Sequence, residues 1–198
     1  MKVPLRFQIT EFDCGTVALT NAISYLFERK EIPAELIKEI SSYTLDCYNE
    51  KGNLGEAGTS REAVEFLCKW ITNFSKAKDF DIKCTYHEKE EVTIDLIRKC
   101  IESKGVVYLR TYQTCEHYVI ITDIDDNNAY IFDSYYLEED YYDEEKMVEI
   151  IFDKPFKYNR IVNLKRLDTQ TTKDFALGPV NKRECVCIYR KKIGGIYE

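Results

Sequence analysis

Histidine is scarce in this chain of 198 residues: only His87 and His117 occur. Structural zinc ordinarily takes four nitrogen or sulfur ligands. The pair Cys185-Val-Cys187, which alternation puts on one sheet face, therefore lacks the partners for a metal site and reads as two apolar strand residues. No Lys/Arg-rich stripe appears, and the net charge is −7 with a pI near 5.1. A nucleic-acid partner has no footprint here. No run reaches the roughly 18–20 apolar residues that a membrane span needs. The opening Met-Lys-Val-Pro-Leu-Arg-Phe-Gln lacks the apolar core of a signal peptide. The eight cysteines are scattered. In a chain this long they read as free thiols in a reducing cytoplasm rather than a disulfide framework.

What is present is 44% hydrophobic residues, enough for a sizeable core in one domain over 1–198. Val17, Ala18, Ala22, Ile23 and Leu26 recur at helical spacing and predict a helix over 14–29, with Asp13 as its N-cap. A second helix starts at Pro33 and carries Leu36, Ile37 and Ile40. Residues 49–58 read as a loop. Thr59-Ser-Arg-Glu62 forms a capping box ahead of the stripe Ala63, Phe66, Leu67, Trp70, Ile71, Phe74. A strand is expected at 80–87 and a helix at 93–103 with Ile94, Ile97, Cys100 and Ile101 inward. Strands follow at 106–112, 118–124, 129–133, 160–166 and 184–190, with a turn at Phe175–Pro179 before the last. Helices first and antiparallel strands second argue an α+β fold, helices packed on an antiparallel sheet. Residues 134–198 then form a C-terminal elaboration that completes the sheet.

The chemistry concentrates at Gln8-Ile-Thr-Glu-Phe-Asp-Cys-Gly15, where Gln8 stands six residues before Cys14 and the first helix begins. A cysteine at a helix N-terminus sits in a field that favours its thiolate. A glutamine just upstream can donate its side-chain amide to an oxyanion, together with the cysteine's own N–H. His117 opens the strand His-Tyr-Val-Ile-Ile-Thr, and Asp133 ends the next one. The hairpin between them returns the chain to the same end. Two-residue loops at Asp126-Asn127 or Asn127-Asn128 would make Asp133 oppose Ile120 or Thr122, on the wrong face for His117. A three-residue loop, Asp125-Asp126-Asn127, would make it oppose Val119, roughly 7–8 Å diagonally from His117. If Asp133 orients His117, the hairpin must carry an odd loop or a bulge.

In Gln8-x-x-x-x-Asp13-Cys14-Gly15, Gly58-Thr59-Ser60, and His117-Tyr118-Val119 with Asp133 sixteen residues on, the chain resembles the bacteriocin-processing, double-glycine-leader peptidases of the papain-like group. The resemblance covers about residues 5–135. It implies a papain-like cysteine peptidase fold, Cys14 as nucleophile, His117 as base and acid, Asp133 as orienter and Gln8 in the oxyanion hole. It implies a peptide or small amide substrate and no metal or organic cofactor. The family often has proline after the aspartate, where Ser134 stands here. Its best-known members are fused to a membrane-spanning exporter, and no such span is expected within these 198 residues.

Two rival functions share these residues. A fold and a triad do not choose between water and an amine as acyl acceptor, so acyl or peptidyl transfer is one. A non-catalytic peptide-binding module of the same fold is the other. The acidic, tyrosine-rich stretch Glu138–Glu145 is a solvated segment by default and would favour basic substrates if it bordered the cleft. Cys115 reads as one more cytosolic thiol, His87 has no motif, and Gly194-Gly195 reads as a tail rather than a self-cleavage site.

Overall fold

The computed structural model describes residues 1–142 and 146–191. The end of the acidic stretch and the Gly194-Gly195 pair lie outside the described residues. Helix α1 spans Cys14–Leu26 and buries Ala18, Leu19, Ala22 and Ile23. Helix α2 spans Ala34–Tyr43, with Pro33 at the N-cap in extended backbone. Helix α3 spans Arg61–Lys78. Its cap is Ser60, whose Oγ accepts from Ala63 N at 3.0 Å. The expected cap, Thr59, instead accepts from Leu45 N at 3.2 Å, so it ties the preceding loop down and leaves the helix to its neighbour. The buried face is Val64, Leu67, Cys68 and Ile71. Phe66, expected inward, is 42% exposed and packs on Tyr43 with ring centroids 4.6 Å apart. Helix α4 covers Ile94–Glu102 and is capped by Thr93, which accepts from Leu96 N.

Among the described residues seven strands form one sheet: β1 Ile82–Glu88, β2 Val106–Gln113, β3 Cys115–Ile124, β4 Asn128–Phe132, β5 Val148–Ile150, β6 Arg160–Asn163 and β7 Glu184–Arg190. Their order is β1-β7-β2-β3-β4-β6-β5 and every pairing is antiparallel. The last strand therefore inserts between β1 and β2. Strand β5 has no clear sequence signal, being three residues long. The strand expected over 160–166 stops at Asn163, whose side chain accepts from Lys165 N and turns the chain into the short helix α5, Leu164–Leu167.

Helices cover both faces. Residues of α1, α2 and α3 pack with Ile82, Tyr108, Tyr118, Ile120 and Val186 in one core. Residues of α4 and α5 pack with Val107, Val119, Ile131, Cys185 and Cys187 in the other. Phe175–Leu177, expected to be a turn, is a fully buried irregular stretch that helps fill this second core. Strands β2 and β3 are buried on both sides. At about 1.5–3 kcal/mol per fully buried large apolar side chain, these two central strands form the rigid platform from which the site is built. All eight cysteines carry free thiols. Among the described residues no helix is long and apolar enough to cross a membrane.

Candidate active site

The β3–β4 hairpin decides whether His117 and Asp133 can meet. Its turn is a two-residue one at Asp126-Asn127: Asp125 N donates to Asn128 O at 2.9 Å, and Asp125 Oδ1 accepts from Asn127 N and Asn128 N. Regular pairing from this turn would bring Asp133 opposite Ile120 and onto the wrong face. The ladder does not stay regular. It runs Ile124↔Ala129 and Asp123↔Tyr130, omits Thr122, and resumes at Ile121↔Ile131 and Ile120↔Phe132. One step further, Asp133 comes across from Val119, which shares His117's face. Of the two expected solutions, an odd loop or a bulge, the chain uses the bulge. The extra residue is well held: Thr122 Oγ1 donates to Lys157 O at 2.9 Å and Thr122 O accepts from Tyr25 Oη at 3.1 Å.

His117 Nε2 lies 2.7 Å from Asp133 Oδ1. With Nε2 committed there, Nδ1 is the ring nitrogen left to face Cys14, whose charge adds to the pull on the imidazole proton. Burial opposes a charge on this imidazole. The Asp133 carboxylate and its hydrogen bond, then Cys14, outweigh that and push the His117 pKa up to about 10. Cys14 and His117 are 7% and 5% exposed, and Asp133 is fully buried. In such a place a charge needs a partner, and each member of this trio supplies one for the next.

Cys14 is the first residue of α1. Asp13 stands at the N-cap position, but its carboxylate does not cap the helix. It turns back to accept from Ile9 N, Thr10 N and Thr10 Oγ1. The expected cap thus folds the preceding loop instead and leaves the positive end of α1 to the thiol. Gly15 explains the Gly58-Thr59-Ser60 step. A Cβ on Gly15 would stand 2.6 Å from Thr59 Oγ1 and 3.2 Å from Tyr108 Oη. Only a glycine lets the helix start approach that loop and β2 so closely.

Gln8 is brought to the carboxylate side of the site. Its backbone N donates to Ser134 O at 2.9 Å, and its side-chain Oε1 accepts from Ser134 Oγ at 2.9 Å. These bonds fix which end of the amide is the donor. Nε2 donates one hydrogen to Thr10 O at 2.8 Å and has a second to give. Ser134 is fully buried and aims Gln8. Tyr135 stands edge-on to His117 with centroids 6.4 Å apart, and its hydroxyl donates to Glu11 Oε2 at 3.0 Å. That bond links the loop before Cys14 to the segment after Asp133.

Sequence reasoning missed two residues that β6 delivers. Asn159 accepts from Asp133 N and donates to Asp133 O, both at 2.8 Å, so it clamps the aspartate's backbone. Arg160, fully buried, lies 3.8 Å from Asp133 Oδ2 and donates to Asn159 O and Tyr135 O. Asp133 Oδ1 takes Tyr135 N as its second donor, while Oδ2 has no hydrogen bond among the described residues. The guanidinium supplies the charge that offsets this buried carboxylate. An arginine opening an expected strand, preceded by asparagine, was the available signal. The chain past residue 134 therefore contributes to the site as well as to the sheet.

No family model and no curated protein matches this sequence. Among solved structures it is similar to a double glycine motif protease from an AMS/PCAT transporter, crystallised in complex with the leader peptide, at 13% identity over 96% of this chain and 93% of that one, with a TM-score of 0.46.

Proposed function

We propose that the protein is a cysteine peptidase or amidase with a papain-like fold, Cys14 being the nucleophile. The observation that carries this reading is the alignment of one imidazole between a helix-start thiol and a buried, doubly hydrogen-bonded carboxylate. His117 takes the Cys14 proton, and the thiolate attacks the carbonyl carbon of a peptide or amide. The Cys14 N–H and the free hydrogen of Gln8 Nε2 hold the oxyanion. His117 returns the proton to the leaving amine, and water then releases the acyl group from sulfur. Asp133 keeps the ring oriented and stabilises its cation. Neither metal nor organic cofactor enters any step.

Iodoacetamide labelling with peptide mapping tests the first half of this sequence. Cys14 is expected to react faster than the other seven thiols, and His117→Ala should slow it to their rate. Cleavage of a peptide library tests the second half, with Cys14→Ala inactive. Uniform slow labelling of all thiols would remove the nucleophile and leave a binding module.

A further inference from the structure

Arg160 is the one fully buried arginine among the described residues, and it lies against Asp133 Oδ2 while His117 holds Oδ1. An arginine beside a carboxylate commonly takes both oxygens in a bidentate pair. Arg160 does not. Its Nη1 donates to Asn159 O at 2.9 Å and its Nη2 to Tyr135 O at 3.0 Å, and these two carbonyls keep the fork 3.8 Å from Oδ2. Neither Arg160 Nε nor Asp133 Oδ2 has a hydrogen bond among the described residues. Asn159 and Tyr135 also fix the aspartate, by its backbone and by Oδ1. The same two residues therefore hold cation and carboxylate at a set separation.

This spacing has a chemical consequence. A bidentate arginine would take Oδ1 away from the imidazole. Arg160 brings its charge and leaves the 2.7 Å bond to His117 in place. A buried carboxylate that faced the imidazole alone would hold the ring's proton hard, yet the leaving amine must receive that proton. A second cation beside the carboxylate weakens the hold without turning the ring. Three other titratable groups face this trio. Cys14 comes from α1 and acts on His117 directly. Tyr135 stands edge-on to the imidazole and gives its hydroxyl hydrogen to Glu11 Oε2. Tyr142 donates to Asp174 Oδ2 at 3.1 Å, and burial keeps it protonated. Neither tyrosine brings a positive charge, so the offset falls to the guanidinium.

We infer that Arg160 is a positioning residue acting through Asp133: its cation takes up part of the carboxylate's charge, so that His117, held on the other oxygen, can pass its proton to the leaving amine. This rests on the peptidase reading.

The test is an NMR titration of the protein carrying nitrogen-15 histidine, in which only two imidazoles appear. Arg160→Met removes the charge and keeps most of the bulk. Its His117 midpoint should lie about one pH unit above the wild type's, as expected for loss of a buried unit charge beside the carboxylate. Arg160→Lys keeps the charge and loses the fork. Its melting temperature should fall while its His117 midpoint stays with the wild type's. His87, which pairs with Glu91, is the reference and should not differ between the proteins. Arg160→Met should also slow cleavage of a peptide amide several-fold more than cleavage of the matching p-nitrophenyl ester, whose leaving group needs no proton. An unmoved or lowered midpoint in folded Arg160→Met would overturn the inference, and so would equal slowing of amide and ester. A Lys variant shifted as far as the Met variant is expected to be would overturn it too, and decides the matter if Arg160→Met does not fold. Failure of the peptidase reading looks different: wild-type Cys14 would label no faster than the other thiols, and neither amide nor ester would be cleaved.

Discussion

His117 Nε2 and Asp133 Oδ1 stand 2.7 Å apart, and Tyr135 N holds the same carboxylate oxygen at 2.9 Å. The oxygen therefore orients the ring and is itself oriented by the chain that follows it. Two separate contributions can be split by substitution. Asp133→Asn keeps an oxygen for both donors but removes the charge. Asp133→Ala removes both. Replacing the orienting carboxylate of a triad by an amide costs on the order of 10⁴ in rate. Peptide cleavage should fall in the order wild type, Asp133→Asn, Asp133→Ala, with most of the loss in the first step. An Asn variant as inactive as the Ala variant would mean that charge alone matters, and that the two-donor geometry does nothing.

The same pair sets a pH dependence of stability. His117 titrates at about 10 in the folded protein and near 6.5 when unfolded. Its folded pKa is raised, so its contribution is fully present below about pH 6.5 and is lost as the pH climbs through about 10. Urea midpoints measured from pH 6 to 10.5 should fall more steeply for wild type than for His117→Gln. The labelling rate of Cys14 should rise or hold as far as about pH 10, with no break near 6.5. Parallel midpoint curves would show that His117 is not held as a cation.

Much of this site is legible locally. Cys14 opens α1 and Asp133 directly follows β4, and element ends are marked by short-range pattern; His117 lies two residues inside β3, which begins earlier than expected, at Cys115. The parity argument for the hairpin also needs only a count of residues, yet it cannot say where a bulge falls. Thr122 was the residue omitted because Lys157 and Tyr25, far along the chain, supply partners for it. Asn159 and Arg160 were illegible for the same reason: their roles rest on long-range pairing between β6 and β4. Asp13 misled because a side chain at an N-cap has two local choices, and the tight loop from Gln8 took it.

Asn159 is predicted to matter for both folding and rate. It closes both backbone groups of a fully buried Asp133. Asn159→Ala leaves a buried donor and a buried acceptor unmet, at about 1–3 kcal/mol each. The urea midpoint should fall accordingly. Cleavage measured well below that midpoint should also drop, since the carboxylate is no longer fixed against His117. A variant that loses stability but keeps full turnover would make Asn159 a purely structural clamp.

Gly15 offers the sharpest test of how the helix start is built. A Cβ there meets Thr59 Oγ1 at 2.6 Å and Thr59 Cβ at 2.8 Å, closer than packed atoms tolerate. Gly15→Ala should cost about 1–3 kcal/mol as an overpacked site. It should also slow Cys14 labelling, because the first turn must move away from β2. Thr59→Gly alone removes the hydroxyl that holds Leu45 N and should cost about 1 kcal/mol. The double variant opens the space that the new methyl needs, so its loss should be smaller than the two single losses added. Denaturation of the four proteins measures this coupling. Strict additivity would mean that Gly15 is required for something other than close approach to Thr59, and the Gly58-Thr59-Ser60 step would lose its physical explanation.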